Sequence, residues 1–174
     1  IYYYRADGKI KMGNGKSLSR VLSDAQQLNL SIEIIEMSSS TRTAKEAAKA
    51  CGCIPAQIIK SIVLINTRTT ALFLILVSGT NNIDLVKTSD VLGINLKMAD
   101  PADVRARTGF AIGGVSPLGH LAKLETYFDP LLTNYKNIWA AAGEPNTVFK
   151  SSPNDLIKSI LAKPLPASCF IEIT

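Results

Sequence analysis

The chain has 174 residues, a formal net charge of +5, and a composition that is 47% apolar, 19% charged and 6% aromatic. That length suits one domain with a real core, and that balance excludes an intrinsically disordered chain. The charge permits contact with phosphates without requiring it, so a nucleic-acid ligand and a merely basic protein both stay open. Three cysteines, an odd number, exclude a closed disulfide framework. Cys51 and Cys53 form a C-x-C without the second Cys/His pair of a zinc site, so no metal is expected and both read as buried thiols of a reducing compartment. The longest apolar run, Ala71 to Val77, is far too short to cross a bilayer, so no membrane partner is expected. Ile1 to Met12 lacks the apolar segment of a signal peptide, which makes the cytoplasm the expected location. Residues 1–16 are read as an N-terminal extension, with Met12 a candidate natural start.

In chain order, Gly15-Lys16-Ser17 has the tail of a phosphate loop, but Ile10 stands where that motif needs its first glycine. Ser17 is read instead as the cap of an amphipathic helix running to about Leu28, with Leu18, Val21, Leu22 and Ala25 on its apolar face. Isoleucine-rich Ile32 to Met37 reads as a strand. Thr43 and Glu46 have capping-box spacing, and the small residues Ala44, Ala47, Ala48 and Cys51 continue a helix that Gly52 ends. Thr41, Arg42 and Thr43 also gather hydroxyls and a cation at the positive end of that helix. Pro55 begins a short helical turn. Lys60 to Asn66 and Ala71 to Ser78 are two strands joined by a tight turn, the second apolar on both faces and so central in a sheet. Lys60 at the mouth of its strand is either a snorkelling surface lysine or a charge fixed on a rigid element to read a phosphate or an amine.

Ser78-Gly79 breaks the second strand, and a helix spans about Leu85 to Leu92. Asn95 to Ala99 is a short strand. Asp100-Pro101 with Asp103 starts a helix that stops at Gly109. Leu124 to Phe128, Ile138 to Ala142 and Thr147 to Lys150 read as strands, Ser152-Pro153 opens a final helix to about Ala162, and Cys169 to Thr174 adds an edge strand. With no repeat or linker, the pattern is one α+β domain with a mixed sheet of about seven strands and about five helices.

Between helix and strand lies Phe110-Ala111-Ile112-Gly113-Gly114-Val115-Ser116-Pro117-Leu118-Gly119-His120. It is either a tight turn or a rigid nest of main-chain N–H groups, suited to an anion or to a carbonyl becoming tetrahedral. Other catalytic apparatus is missing. A single histidine, no G-x-S-x-G, no H-E-x-x-H and no G-x-G-x-x-G leave a serine triad, a zinc hydrolase and a dinucleotide enzyme without support. What remains is positioning by backbone amides and one lysine, on a substrate that brings its own reactivity.

Taken in order, Ser40-Thr41-Arg42-Thr43-Ala44, Gln57-Ile58-Ile59-Lys60-Ser61, Leu76-Val77-Ser78-Gly79, Thr108-Gly109-Phe110-Ala111-Ile112-Gly113-Gly114-Val115-Ser116-Pro117, Ile138-Trp139-Ala140-Ala141-Ala142-Gly143 and Val148-Phe149 form a specific set. It resembles the YbaK and prolyl-tRNA-synthetase-associated family of aminoacyl-tRNA editing domains, over residues 17–165, leaving 166–174 as a tail. The resemblance implies a mainly antiparallel, partly barrel-like sheet surrounded by helices. It also implies a trans-acting hydrolase, without cofactor, that frees wrongly attached amino acids from tRNA, typically tRNA for proline, with the substrate ribose or a substrate thiol assisting. Lys60 is the residue it marks best, expected to contact the 3′-terminal phosphate or the amino acid, and the loop Gly113, Gly114, Val115, Ser116 and Pro117 is its substrate loop, with the amides of Gly114, Val115 and Ser116 expected to hold the ester carbonyl. Thr41, Arg42 and Thr43 are then expected to line the amino-acid pocket, Ser78 and Gly79 to border it, and His120 to stand nearby or to be a plain surface histidine. The late-strand Asp of some members has no counterpart, Val148 standing near its place. The expected substrate is tRNA-Pro carrying Ala, Cys or Ser, met at the acceptor end, with prolyl-tRNA synthetase or an elongation factor as partner. The alternatives are a non-catalytic module that binds tRNA ends or a synthetase, and a hydrolase of another small ester.

Overall fold

The computed structural model describes residues 2–5, 10–12, 15–38 and 43–173. Two five-stranded sheets carry the fold. In the first, the order is β2 (Ile10–Met12), β1 (Tyr2–Arg5), β3 (Glu33–Glu36), β10 (Thr147–Ser151) and β9 (Ile138–Ala141). In the second it is β11 (Lys163–Pro164), β8 (Glu125–Phe128), β5 (Leu72–Ser78), β4 (Ile59–Asn66) and β7 (Leu96–Met98). A small third sheet pairs β6 (Asn81–Ile83) with β12 (Phe170–Glu172). Most pairings are antiparallel, but β1 with β3, β5 with β8 and β8 with β11 run parallel. A parallel bridge from Ile58 to Trp139 ties the entry of β4 to β9 and so curls the two large sheets toward each other, which gives the partly barrel-like form without closing it. The strands absent from the sequence reading are the short ones, β1, β2, β6 and β11; two to four residues carry too little alternation to be read.

Helices α1 (Lys16–Gln27), α2 (Ala44–Cys51), α3 (Leu85–Leu92), α4 (Pro101–Thr108) and α5 (Pro153–Ser159) lie where the periodicity places them. One boundary differs. Gly15, in extended conformation, is the N-cap of α1, and Ser17 lies inside the first turn. The capping box of α2 holds: Thr43 Oγ1 accepts from the Glu46 N–H at 3.2 Å, and the Thr43 N–H donates to Glu46 Oε2 at 3.3 Å.

Strand β5 is the core. All seven of its residues are buried, and alternation sends them into two clusters. Leu72, Leu74 and Leu76 pack with Leu18, Val21, Phe110 and Phe149 on one face, while Phe73, Ile75 and Val77 pack with Tyr127, Leu165 and Cys169 on the other. Burying each such side chain stabilises the fold by about 2 kcal/mol, which fixes the register of β4 against β5 and pairs Lys60 with Val77. A third cluster of Met37, Ala47, Ala48, Ile58, Trp139 and Val148 holds α2 against the curled sheet. The small residues of α2 let it lie close to the strand ends, and a cavity forms at that junction.

Candidate active site

Beside α2 and the entry of β4 is a hollow of about 120 Å³ lined by Thr43, Ala44, Ala47, Ile58, Lys60, Gly113, Trp139 and Val148 among others. Lys60 and Gly113, far apart in sequence, therefore share one cavity. Gly113, Glu144 and Pro145 also line a second, larger cavity of about 550 Å³ that includes Ser17, Arg105, Ala111 and Ile112, so the two hollows share a wall. The first is walled mostly by small and apolar side chains, the second by main chain and by the exposed Arg105.

Strand β4 fixes the Lys60 backbone, and β6 fixes its head, beside a further hollow of about 270 Å³ that Lys60 also lines with Val77, Asn82 and Ile83. The ammonium donates to the Asn81 carbonyl and, at 3.1 Å, to Asn82 Oδ1. A lysine has three donors, so one remains available. Burial pulls the Lys60 pKa below its ordinary value, and the Asp129 carboxylate opposes that drop. Asp129 is a residue the sequence reading missed. It is only 2% exposed and accepts from the Ser78 N–H at 3.2 Å, Asn81 Nδ2 at 2.8 Å and the Leu131 N–H at 3.0 Å. It therefore orients the strand whose carbonyl holds Lys60. Its sequence signal, an Asp before Pro130 at a strand end, is common to many turns.

The glycine loop is more divided than its sequence suggests. Gly113 has φ of 88°, is exposed, and lines both hollows. The Gly114 N–H donates to the Ala111 carbonyl at 3.0 Å, so this amide closes a turn and is not a free donor for substrate. Val115 and Ser116 are buried and line neither hollow, and Ser116 Oγ accepts from the Leu118 N–H at 3.2 Å. The amides of Gly113, Val115 and Ser116 make no hydrogen bond with the described residues.

Pro117 and His120 face elsewhere. With Asp24, Leu28, Lys123, Thr126 and Ser159 they line a separate cavity of about 230 Å³ that Lys60 does not reach. Burial pushes the His120 imidazole below its ordinary pKa; the Ser116 main chain and Asp24 pull it back up, and Arg20 adds to the drop. Neither His120 ring nitrogen meets hydrogen-bond geometry with a partner, so the Ser116 main chain acts on its charge without a formed bond. Its ring stands edge-on to Phe110, with centroids 5.4 Å apart at 87°. His120 is thus neither a surface histidine nor a neighbour of Lys60.

Ser78 and Gly79 act from behind the pocket. Ser78 is fully buried, its Oγ donating to the Ala56 carbonyl at 2.8 Å, and the Gly79 N–H donates to the Ile58 carbonyl at 2.8 Å. Thr43 lines the hollow, while Thr41 and Arg42 lie outside the described residues. Val148 is a pocket wall, consistent with its expected place. Trp139, also missed in the sequence, lines the same hollow, and its indole Nε1 is buried with no hydrogen-bond partner. Among the described residues no group of His, Cys, Asp or Glu could hold a metal ion, and burial pushes the Cys51 and Cys53 thiols each up to about 11.

Comparison with known proteins gives the family and the fold. The profile of the aminoacyl-tRNA editing domain matches residues 38–159. The YwhH protein of Bacillus subtilis, whose function is uncharacterized, is 29% identical over 147 residues, covering 84% of this chain and 93% of its own. EbsC of Enterococcus faecalis, named by inference a Cys-tRNA(Pro)/Cys-tRNA(Cys) deacylase, is 26% identical over 133 residues, 76% of this chain and 77% of its own. A crystal structure described as a candidate trans-editing enzyme for prolyl-tRNA synthetase superposes with a TM-score of 0.82 at 39% identity, covering 88% of this chain and 97% of that one. Among the described residues no helix is long and apolar enough to cross a membrane.

Proposed function

The chain belongs to the aminoacyl-tRNA editing domain family, and from that premise we propose that it is a trans-acting deacylase that hydrolyses the ester of mischarged tRNA. The observation that carries this reading is a small hollow lined by both Lys60 and Gly113. At about 120 Å³ it admits a small side chain such as that of Ala, Cys or Ser. The larger adjoining hollow suits the terminal nucleotide, with Arg105 at its wall to meet phosphate.

In this reading the ester carbonyl lies between the Gly113 N–H and the remaining proton of Lys60. Water adds to the carbonyl carbon, the oxyanion is held by those fixed donors, and the ribose oxygen leaves with a proton as the amino acid departs. Glu144 is the carboxylate that lines the hollow, but its head packs against Gly15, so the base role goes to a hydroxyl of the substrate ribose, which takes a proton from the water as it hands its own to the departing ribose oxygen. Val148, near the place of the late-strand Asp of some family members, puts an apolar wall there, so the charges at the amino-acid site are those of Lys60 and Glu144. The preferred carrier is tRNA for proline, with prolyl-tRNA synthetase or an elongation factor delivering it. The name of EbsC and the description of the solved relative support that choice.

The test is deacylation of proline tRNA charged with Ala, Cys or Ser, against correctly charged Pro. Hydrolysis of one of the first three well above buffer, lost in Lys60→Ala, is the expected result. No acceleration with any of them refutes the enzymatic reading, and salt-sensitive binding without turnover would mark a non-catalytic tRNA-end module instead.

A further inference from the structure

One side chain of α1 holds both feet of the glycine loop. Arg20 Nη2 donates to the Gly109 carbonyl at 2.8 Å, and Arg20 Nε donates to the Gly119 carbonyl at 3.0 Å. The other main-chain group of Gly119 is held by the same helix, its N–H donating to Asp24 Oδ2 at 2.7 Å. Arg20 and Asp24 sit one helical turn apart, which points both at the same stretch of loop. The guanidinium lies 4.9 Å from the centroid of Phe110, the loop residue next to Gly109. Contact at Gly119 is so close that a Cβ there would fall 2.7 Å from the Val21 nitrogen and 2.8 Å from the Arg20 carbonyl carbon, and its φ of 76° also favours glycine.

The tip of the loop has little to hold it. Ala111, Ile112 and Gly113 are exposed, and the one main-chain hydrogen bond across the tip is Gly114 to Ala111. Below it, the Leu121 N–H to Thr108 carbonyl bond at 3.2 Å closes the base. The spacing between the two feet, and so the direction in which the Gly113 amide faces, depends on the planar fork of Arg20. A lysine has the charge but not the fork.

We propose that Arg20 and Asp24 are positioning residues that set the shape of the Gly109–Gly119 loop for catalysis. This rests on the deacylase reading, because the loop presents Gly113 to the hollow it shares with Lys60. Removing the fork leaves the pocket and its walls in place and misaligns a donor that acts in the transition state. The effect therefore falls on kcat and leaves KM nearly alone. An amide displaced by about 1 Å costs on the order of 10²-fold in rate.

The experiment compares wild type with Arg20→Lys, Arg20→Ala, Asp24→Asn and Asp24→Ala, measuring melting, steady-state deacylation and amide exchange at Gly114 to Ser116. Expected for Arg20→Lys is a fold that melts near wild type, kcat lower by about 10- to 100-fold with KM within about twofold, and faster exchange at those amides. Sub-denaturing guanidinium ion restores activity to Arg20→Ala and not to Lys60→Ala. Asp24→Asn, which keeps a carbonyl acceptor, is milder than Asp24→Ala. The proposal is overturned if Arg20→Lys and Arg20→Ala keep kcat within about twofold. It is equally overturned if guanidinium rescues nothing while exchange at Gly114 to Ser116 is unchanged. Should wild type deacylate none of the charged tRNAs, the deacylase reading falls by itself and the exchange arm alone decides the clamp.

Discussion

Asp129 offers the sharpest test of how the pocket is built, because one buried carboxylate supports both the fold and the charge of Lys60. Asp129→Ala leaves the Ser78 N–H, Asn81 Nδ2 and the Leu131 N–H without their acceptor. Hydrogen bonds to a charged group contribute about 1.5–3 kcal/mol each, and three sharing one carboxylate are not additive, so the loss is about 4 kcal/mol. At about 2–4 °C per kcal/mol for a chain of this size, the melting midpoint falls by about 10 °C. Asp129→Asn can turn its carbonyl toward Ser78 and Asn81, leaving its NH₂ against the Leu131 N–H, and costs about 1–3 kcal/mol. The asparagine variant also removes the negative charge that opposes the desolvation of Lys60, so the Lys60 pKa falls further. The alkaline limb of the deacylation profile then moves to lower pH, since the ammonium is lost earlier. Urea unfolding gives the stabilities and initial rates across pH give the limb. If Asp129→Ala unfolds within about 1 kcal/mol of wild type, or the limb of Asp129→Asn stays in place, the assigned network is wrong.

Three further outcomes follow from named contacts. A Cβ added in Gly79→Ala runs into the Pro55 carbonyl oxygen and comes within 2.8 Å of Ala44 Cβ; overpacking against a backbone predicts a loss of about 1–3 kcal/mol in denaturant unfolding, with raised KM because Ala44 lines the pocket. His120 has a folded-state pKa below its unfolded one, so at mildly acid pH the folded state binds fewer protons than the unfolded state. Wild type then carries no penalty from this group above the unfolded pKa of about 6.5 and loses stability progressively below it; His120→Gln, followed by melting between neutral and mildly acid pH, should lose less. Cys51 and Cys53, with thiols pushed up to about 11, should be alkylated by iodoacetamide at mildly alkaline pH about 100-fold more slowly than free cysteine, and rates comparable to free cysteine would show that their burial is misread.

How much of this was legible depends on the range over which each feature is written. Helix starts and stops are local. Thr43 with Glu46, Pro101, Pro153 and the glycines after α2, α3 and α4 put punctuation where the chain needs it, so all five helices lie where the periodicity put them. The seven buried residues of β5 likewise announce a central strand by composition. Ser17 misled because a hydroxyl near a helix start looks like a cap wherever it falls, while the chain turned at Gly15.

The pocket was legible as a set of residues and not as a geometry. Apolar content, capping residues and the ordered motifs determined an α+β editing-type domain and singled out Lys60 and the loop around Gly113. Tertiary structure decided which of them meet. Curling at the Ile58–Trp139 bridge brought Trp139 and Val148 to the hollow, and the parallel entry of β8 beside β5 delivered Asp129 beneath Asn81. The same packing sent His120 to the far side of the loop and made Arg20 the hinge pin of both loop feet. Those pairings join positions about fifty to a hundred residues apart, as in the contacts of Ser78 with Asp129 and Arg20 with Gly119. No local pattern encodes them, because the energy that selects them is burial of a shared core, a property of the whole chain.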